Sequence, residues 1–106
     1  SDFLPTLESD EKGFIAYKLF GNTFYSSPDK WDISEGSVIE EVCNPCKTDL
    51  CACGVNVATR EWCEENTGNE LWKVRIEWVD LTEVVIPYGT DGKFRCSRCT
   101  LIERVR

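Results

Sequence analysis

The cysteines are the residues whose type and spacing most clearly predict chemistry. Two Cys-x-x-Cys pairs, Cys43 with Cys46 and Cys96 with Cys99, are spaced like the two arms of a structural zinc site. Such arms can direct four thiolates at one tetrahedral ion, with zinc–sulfur distances of about 2.3 Å. The chain contains no histidine, so a zinc site would need mostly thiolate ligands. We therefore expect these four cysteines to bind a structural zinc.

The remaining three cysteines leave alternatives open. Cys51 and Cys53 form a Cys-x-Cys pair that could replace or supplement either arm of the zinc site. Cys63 follows Trp62 and is interpreted as a packed core residue, since unpaired cysteines are often buried. Free thiols throughout are a second hypothesis. Disulfides are a third, although seven cysteines would leave one thiol over in an oxidised monomer.

Charge is distributed unevenly along the chain. Residues 1–70 carry a net charge of −9, residues 71–106 carry +2, and the whole chain carries −7. This balance disfavours direct nucleic-acid binding, because phosphate contacts require a basic surface. An acidic surface can instead attract a protein partner with a basic surface, although it can also serve solubility alone. The partner-binding candidates are Asp29, Asp32, Glu40 and Glu41.

Length and hydropathy indicate one domain. A chain of 106 residues fits a single domain, with residues 1–12 as a flexible acidic segment and residues 13–106 as the folded unit. No run approaches the roughly 18 apolar residues of a membrane span, and no signal-peptide pattern is present. We expect no membrane association and a cytoplasmic location.

Short extended segments dominate the pattern. The clearest is residues 71–79, where Trp72, Val74, Ile76 and Trp78 alternate with polar side chains. This alternation is typical of a strand with one buried and one solvent-exposed face. Further strands are expected at residues 13–20, 37–42, 55–58, 83–88, 93–96 and 100–105. These segments predict an α+β fold built on an antiparallel or mixed sheet, stapled by zinc.

A single short helix is expected at about residues 59–66. Thr59 can accept a backbone N–H as the helix N-cap, and Glu61 is favourably placed near the positive end of the helix dipole. The helix should end before the Thr67-Gly68-Asn69 turn.

Two stretches carry a resemblance to a known family. The run CACGVNVATREW at residues 51–62 and the run VIPYGTDGKFR at residues 85–95 lie on either side of the strand predicted at residues 71–79. Together they resemble a small uncharacterised domain family of phage and prophage genomes, over most of the chain from Gly13 onward. The resemblance implies no activity, but a phage origin favours binding and inhibiting a host protein, including a defence protein.

A fainter resemblance is to the ADP-ribosyltransferase fold. It would place Tyr17 or Lys18 at the first-strand position, Thr59 at the strand-to-helix junction, and Glu77 or Glu103 on a later strand. The implied activity is NAD binding, in an active or degenerate enzyme. The chain has a lysine where that family uses arginine or histidine.

The sequence therefore favours a small acidic protein-binding module over an enzyme. Without histidine, Ser-His and Cys-His nucleophile systems are excluded. The glycines do not form a phosphate-binding loop. We expect a phage-derived inhibitor of a host protein that has a basic or nucleic-acid-binding surface, with the NAD-binding domain as the alternative.

Overall fold

An antiparallel β-sheet is the main structural element of the chain. The computed structural model describes residues 7–20, 31–41, 55–65, 70–87, 90 and 92–105. The elements in the described part are β1 (Gly13–Phe20), β2 (Val38–Glu40), β3 (Val55–Ala58), α1 (Arg60–Glu64), β4 (Glu70–Glu77), a 3₁₀ helix (Trp78–Glu83), β5 (Lys93–Cys96) and β6 (Arg98–Arg104).

Within the described ranges all of the strand pairings are antiparallel, in the order β2-β6-β4-β1-β3-β5. This confirms the prediction of a mostly antiparallel sheet accompanied by little helix. The strands predicted at residues 13–20, 55–58 and 93–96 have the bounds observed for β1, β3 and β5. The β-branched and aromatic content of these segments explains the agreement.

The pairing of β1 with β4 forms the centre of the sheet. It runs without interruption from Gly13 opposite Glu77 to Phe20 opposite Glu70. Gly13 is required at its end, since a Cβ there would lie 2.0 Å from the carbonyl oxygen of Ile76. The other long strand, β6, pairs with β4 through a bulge between Lys73 and Val74.

The sheet must curl strongly. Ser97 alone separates β5 from β6, although three other strands lie between them in the sheet order. In a flat sheet these strands would lie about 19 Å apart, at about 4.8 Å per step. One intervening residue spans only about 7 Å. The sheet is therefore a half-barrel with a concave inner face and a convex outer face.

The two faces hold separate groups of apolar residues. Alternate residues of each strand point to opposite faces. The larger cluster, on the inner face, comprises Leu7, Ala16, Phe20, Ile39, Val55, Val57, Trp72, Val74, Ile76, Phe94, Cys96, Cys99 and Leu101. The smaller cluster lies on the outer face beneath α1 and comprises Ile15, Tyr17, Ala58, Cys63 and Leu71.

The predicted helix is confirmed as α1, with Thr59 as its N-cap. The Thr59 hydroxyl oxygen accepts from the backbone N–H of Trp62 at 3.2 Å, and Glu61 lies in the first turn. Such a cap stabilises a helix by about 1 kcal/mol. Cys63 is the buried residue of α1 and packs on the outer face, as predicted for a core cysteine.

The prediction of Trp78 on the buried face of the long strand is wrong. β4 ends at Glu77, and Trp78 begins the 3₁₀ helix with its side chain 44% exposed. The indole Nε1 donates to the carbonyl oxygen of Glu11 at 3.0 Å, and the ring packs against the edge of Phe14 at 5.1 Å. These contacts hold Trp78 against the chain before β1, so the alternation stops one residue early.

Two predicted segments near the C-terminus also differ. Residues 83–88 were expected to form a strand, but the described residues form only an isolated bridge between Val85 and Arg95. Pro87 has no N–H for a longer ladder. β6 begins at Arg98 rather than at residue 100, so Cys99 lies within a strand instead of in a turn.

Part of the predicted N-terminal segment contacts the sheet. Leu7 is buried in the inner cluster, and Ser9 bridges to Phe14. Asp10 accepts from the backbone N–H groups of Lys12 and Gly13 and thereby closes the turn into β1. The boundary between this segment and the domain stays a prediction. No helix in the described ranges is long and apolar enough to cross a membrane.

Candidate functional site

Lys18 places an ammonium group among the apolar residues of the inner face. It shares the inward side of β1 with Phe14, Ala16 and Phe20. Its Nζ donates to the carbonyl oxygen of Asn56 at 2.8 Å. The same nitrogen lies 5.3 Å from the ring centroid of Phe20 and 5.5 Å from that of Trp31. Both distances fit cation–π contacts.

The electrostatic surroundings of Lys18 are unusual for a lysine. Burial lowers the pKa of its ammonium from the usual value of 10.5, and the nearby thiols of Cys99 and Cys96 partly oppose this shift. The ion pairs in the described part of the chain involve arginines and do not include Lys18. The ammonium is therefore held by a carbonyl and two rings, with no described carboxylate partner.

A second polar group lies beside Lys18 on the inner face. Trp72 is directly opposite Lys18 in the β1–β4 pairing and is only 5% exposed. Its indole Nε1 is buried and has no hydrogen-bond partner. A buried polar atom without a partner costs about 1–3 kcal/mol and calls for an explanation. The inner face thus combines an ammonium with an unused donor.

The described cysteines of the predicted zinc site lie close to this pair. Cys96 ends β5 and Cys99 lies in β6, and both are buried in the inner cluster. The other candidate ligands, Cys43, Cys46, Cys51 and Cys53, lie outside the described residues. Within the described ranges, no group of three or more metal-ligating side chains occurs. The zinc site stays a prediction.

Three of the four predicted partner-binding residues lie close to one edge of the sheet. The Trp31 indole Nε1 donates to the carbonyl oxygen of Glu40 at 3.0 Å, which holds the segment that contains Asp32 against β2. Asp32 also accepts from the Ser37 hydroxyl at 3.3 Å. Asp32 and Glu40 are exposed, and Glu41 is half-buried. Asp29 lies outside the described residues.

The alternative catalytic residues are not all brought together. Lys18 faces inward, whereas Glu77 faces outward at the far end of β4 from Trp72. Trp72 and Glu77 are five residue steps apart along β4, or about 17 Å. The Thr59 hydroxyl is used by the N-cap hydrogen bond of α1.

Tyr17 and Glu103, the other pair from the same resemblance, lie nearer to each other. Tyr17 is opposite Lys73 in the β1–β4 pairing, and Lys73 is opposite Glu103 in the β4–β6 pairing. Tyr17 is also opposite Ala58, the residue before Thr59. Tyr17 is buried and lies under the Arg60 guanidinium, whose carbon is 5.8 Å from the ring centroid.

Comparison with protein-family models, with curated proteins and with solved structures returns no match for this chain. The resemblances to a phage domain family and to ADP-ribosyltransferases therefore stay predictions.

The sequence reasoning missed the role of the Lys18–Trp72 pair. The sequence pattern predicts for Lys18 only the position of an NAD-binding arginine, and for Trp72 only a place on the apolar face of a strand. One signal was present in the sequence, because Lys18 has the same parity as Phe14, Ala16 and Phe20 in a strand. The register that sets Lys18 opposite Trp72 depends on long-range pairing and has no local signal.

Proposed function

We propose that this domain is an acidic protein-binding module, and that it binds a basic partner surface through the β2 edge of its sheet. The observation that carries this proposal is the Trp31–Glu40 hydrogen bond, which holds the segment that contains Asp32 against the β2 edge. We define this acidic edge as Asp32, Glu40 and Glu41. The resemblance to phage domains supports a partner in the host cytoplasm whose surface is basic, such as a nucleic-acid-binding or defence protein.

The geometry of β2 supports binding at this edge. β2 is the terminal strand of the sheet order. The carbonyl of Ser37 and the N–H of Glu41 bond to Leu101 and Ser97, on the β6 side. The backbone groups of Val38 and Glu40 therefore point away from the sheet. The Val38 side chain is 51% exposed and adds an apolar contact beside the carboxylates.

The charges near the edge favour a basic partner. Arg98 is opposite Glu40 in the β2–β6 pairing, but its guanidinium is already paired with Asp80 at 3.2 Å. That pairing raises the pKa of Arg98, with Glu40 and Glu77 contributing further. One arginine thus serves several carboxylates, which leaves an excess of negative charge. Charge complementarity of this kind accelerates association and sets specificity.

The test compares two charge-reversal variants. The edge variant is Asp32→Lys, Glu40→Lys and Glu41→Lys. The control variant is Glu61→Lys and Glu64→Lys on α1, with Glu65→Lys at its C-cap. Both change the net charge equally. Each protein is immobilised and exposed to a bacterial lysate, and the affinity of the captured partner is then measured. We expect the edge variant to lose at least tenfold in affinity while the control retains most of it. Equal losses in both variants would refute binding at this edge.

We propose further that a structural zinc, held by thiolates, supports the corner where β5 meets β6. The support comes from the residues on either side of 42–54. The Glu41 N–H donates to the Ser97 carbonyl at 2.9 Å, and Val55 is opposite Cys96 in the β3–β5 pairing. Cys43 is two residues after Glu41, and Cys53 is two residues before Val55. About 7 Å of extended chain therefore connects each cysteine to the corner.

Metal analysis tests the zinc proposal separately. Protein purified without chelator should contain about one zinc per chain, and Cys96→Ser with Cys99→Ser should remove it. Cys63→Ser is the matched control, since Cys63 lies on the outer face, and it should leave the zinc content unchanged. Metal-free wild-type protein would refute the zinc and would leave the acidic-edge proposal untouched.

A further inference from the structure

We propose that the inner face of the half-barrel binds a small amphipathic carboxylate, whose two oxygens accept hydrogen bonds from Lys18 Nζ and Trp72 Nε1. The proposal concerns a different surface from the acidic edge and does not depend on the protein partner.

Unused hydrogen-bonding capacity is the first reason. The Lys18 ammonium has three N–H donors, and its contacts are the Asn56 carbonyl and the faces of Phe20 and Trp31. The Trp72 indole has one donor, and that donor has no partner. A carboxylate accepts through both oxygens, so it can satisfy both groups at once.

The position of the two side chains is the second reason. Lys18 and Trp72 are directly opposite each other on neighbouring strands and on the same face. The Cβ atoms of such a pair are about 4.5–5.5 Å apart. Lys18 Nζ reaches toward β3, where it meets Asn56, while Trp72 lies on β4. β1 lies between these two strands, so a carboxylate that binds both donors would lie over β1, and the flexible lysine stem would let the ammonium turn toward it.

The surrounding residues determine the kind of anion. Ala16, Val74 and Phe20 are buried beside the pair, and the Trp31 ring covers the ammonium. Arg104 faces Trp72 from β6, but it is paired with Glu70 at 3.3 Å. One ammonium matches a single negative charge, so a monoanion with an apolar body fits better than a phosphate. Mouths of curled sheets commonly hold such ligands.

Nitrogen-15 NMR of the indole groups, with decanoate as the probe, tests the proposal. Trp78 provides an internal reference, because its Nε1 already donates to the Glu11 carbonyl. We expect decanoate to shift the Trp72 indole resonance in a saturable manner, with much smaller shifts at Trp78. Decanol, which has the same chain without the charge, should bind at least tenfold more weakly.

Two variants separate the site from nonspecific binding. Lys18→Gln should weaken decanoate binding at least tenfold, whereas Lys73→Gln, whose side chain faces outward on β4, should leave it unchanged. Zinc content measured in both variants ensures that a lost metal is not mistaken for a lost ligand. An unmoved Trp72 resonance at millimolar decanoate, or equal affinities for wild type and Lys18→Gln, would overturn the proposal.

Discussion

The inner and outer faces of this sheet treat charge in opposite ways. On the outer side, Arg75 pairs with Asp10 at 2.8 Å and Arg98 pairs with Asp80 at 3.2 Å. On the inner side, the Lys18 ammonium has a carbonyl and two aromatic rings but no described carboxylate. On the outer side, Arg75 and Arg98 are therefore each paired with a carboxylate, and Asp32 and Glu40 are exposed near the β2 edge, whereas Lys18 on the inner face has no described carboxylate. The two surfaces should attract different partners.

Packing on the inner face should dominate stability. Phe94 is fully buried in the inner cluster, so Phe94→Ala should lower the free energy of unfolding by about 3–5 kcal/mol. Arg60→Gln, which breaks the exposed ion pair with Glu64 on the outer side, should cost less than about 1 kcal/mol. Urea denaturation of both variants measures the contrast. Similar losses for the two would mean that the outer ion pairs contribute as much as the core.

The helix that covers part of the outer face should depend on its cap. Thr59→Ala removes the acceptor for the Trp62 N–H and should lower the free energy of unfolding by about 1 kcal/mol. Thr59→Ser keeps the hydroxyl and should recover most of that loss. Thermal unfolding followed by circular dichroism compares the two. A serine variant as unstable as the alanine variant would show that the methyl group, and not the cap, matters.

Removing the Lys18 charge should not destabilise the fold. Lys18→Met keeps a long apolar side chain and removes a desolvated ammonium, so the free energy of unfolding at pH 7 should equal or exceed that of wild type. Urea denaturation measures it. A clear loss of stability would show that the contacts of the ammonium with the Asn56 carbonyl and the two rings outweigh its desolvation cost.

The pH dependence of the stability of wild type and Lys18→Met tests the direction of the Lys18 pKa shift. The pKa of Lys18 is lowered in the folded state, so the unfolded state binds more protons. Wild-type stability should rise relative to Lys18→Met between the lowered folded pKa and the unfolded value of about 10.4. The thiols of Cys99, Cys96 and Cys63 and the ammonium of Lys93 act on Lys18 in both directions. Their coupling to Lys18 is lost in Lys18→Met, so the difference reports Lys18 together with this coupling.

The smallest effect concerns Asp10 on the outer side. Its pKa lies below 3.8 because it accepts from the Lys12 N–H and, in addition, from Arg75 and the Gly13 N–H, against a smaller opposing effect of burial. Its contribution to stability is present above the unfolded pKa and is lost as the pH falls through the folded value. Carboxyl NMR titration should show the pKa rising part of the way in Arg75→Gln. An unchanged pKa would assign the whole shift to the backbone hydrogen bonds.

Local sequence patterns predicted the positions of the strands and the helix better than they predicted the contacts between them. Residues 13–20, 55–58 and 93–96 were predicted correctly because their composition favours strands, and α1 because Thr59 has the chemistry of a cap. The prediction for Trp78 was wrong because its side chain contacts Glu11 and Phe14, which are distant in sequence. The Lys18–Trp72 pair likewise depends on the β1–β4 register. The curl of the sheet, which brings β5 and β6 together at Ser97, depends on the order of the strands. Local sequence patterns do not determine that order.

Trp31 contacts both surfaces, since its ring lies against Lys18 and its Nε1 donates to Glu40. The most direct test of the central claim is therefore the affinity of the captured protein partner for the edge variant and for Lys18→Gln, measured side by side. We expect the edge variant to lose at least tenfold and Lys18→Gln to bind as wild type does. An edge variant that binds normally, or a loss in Lys18→Gln as large as that in the edge variant, would contradict the assignment of partner binding to the acidic edge.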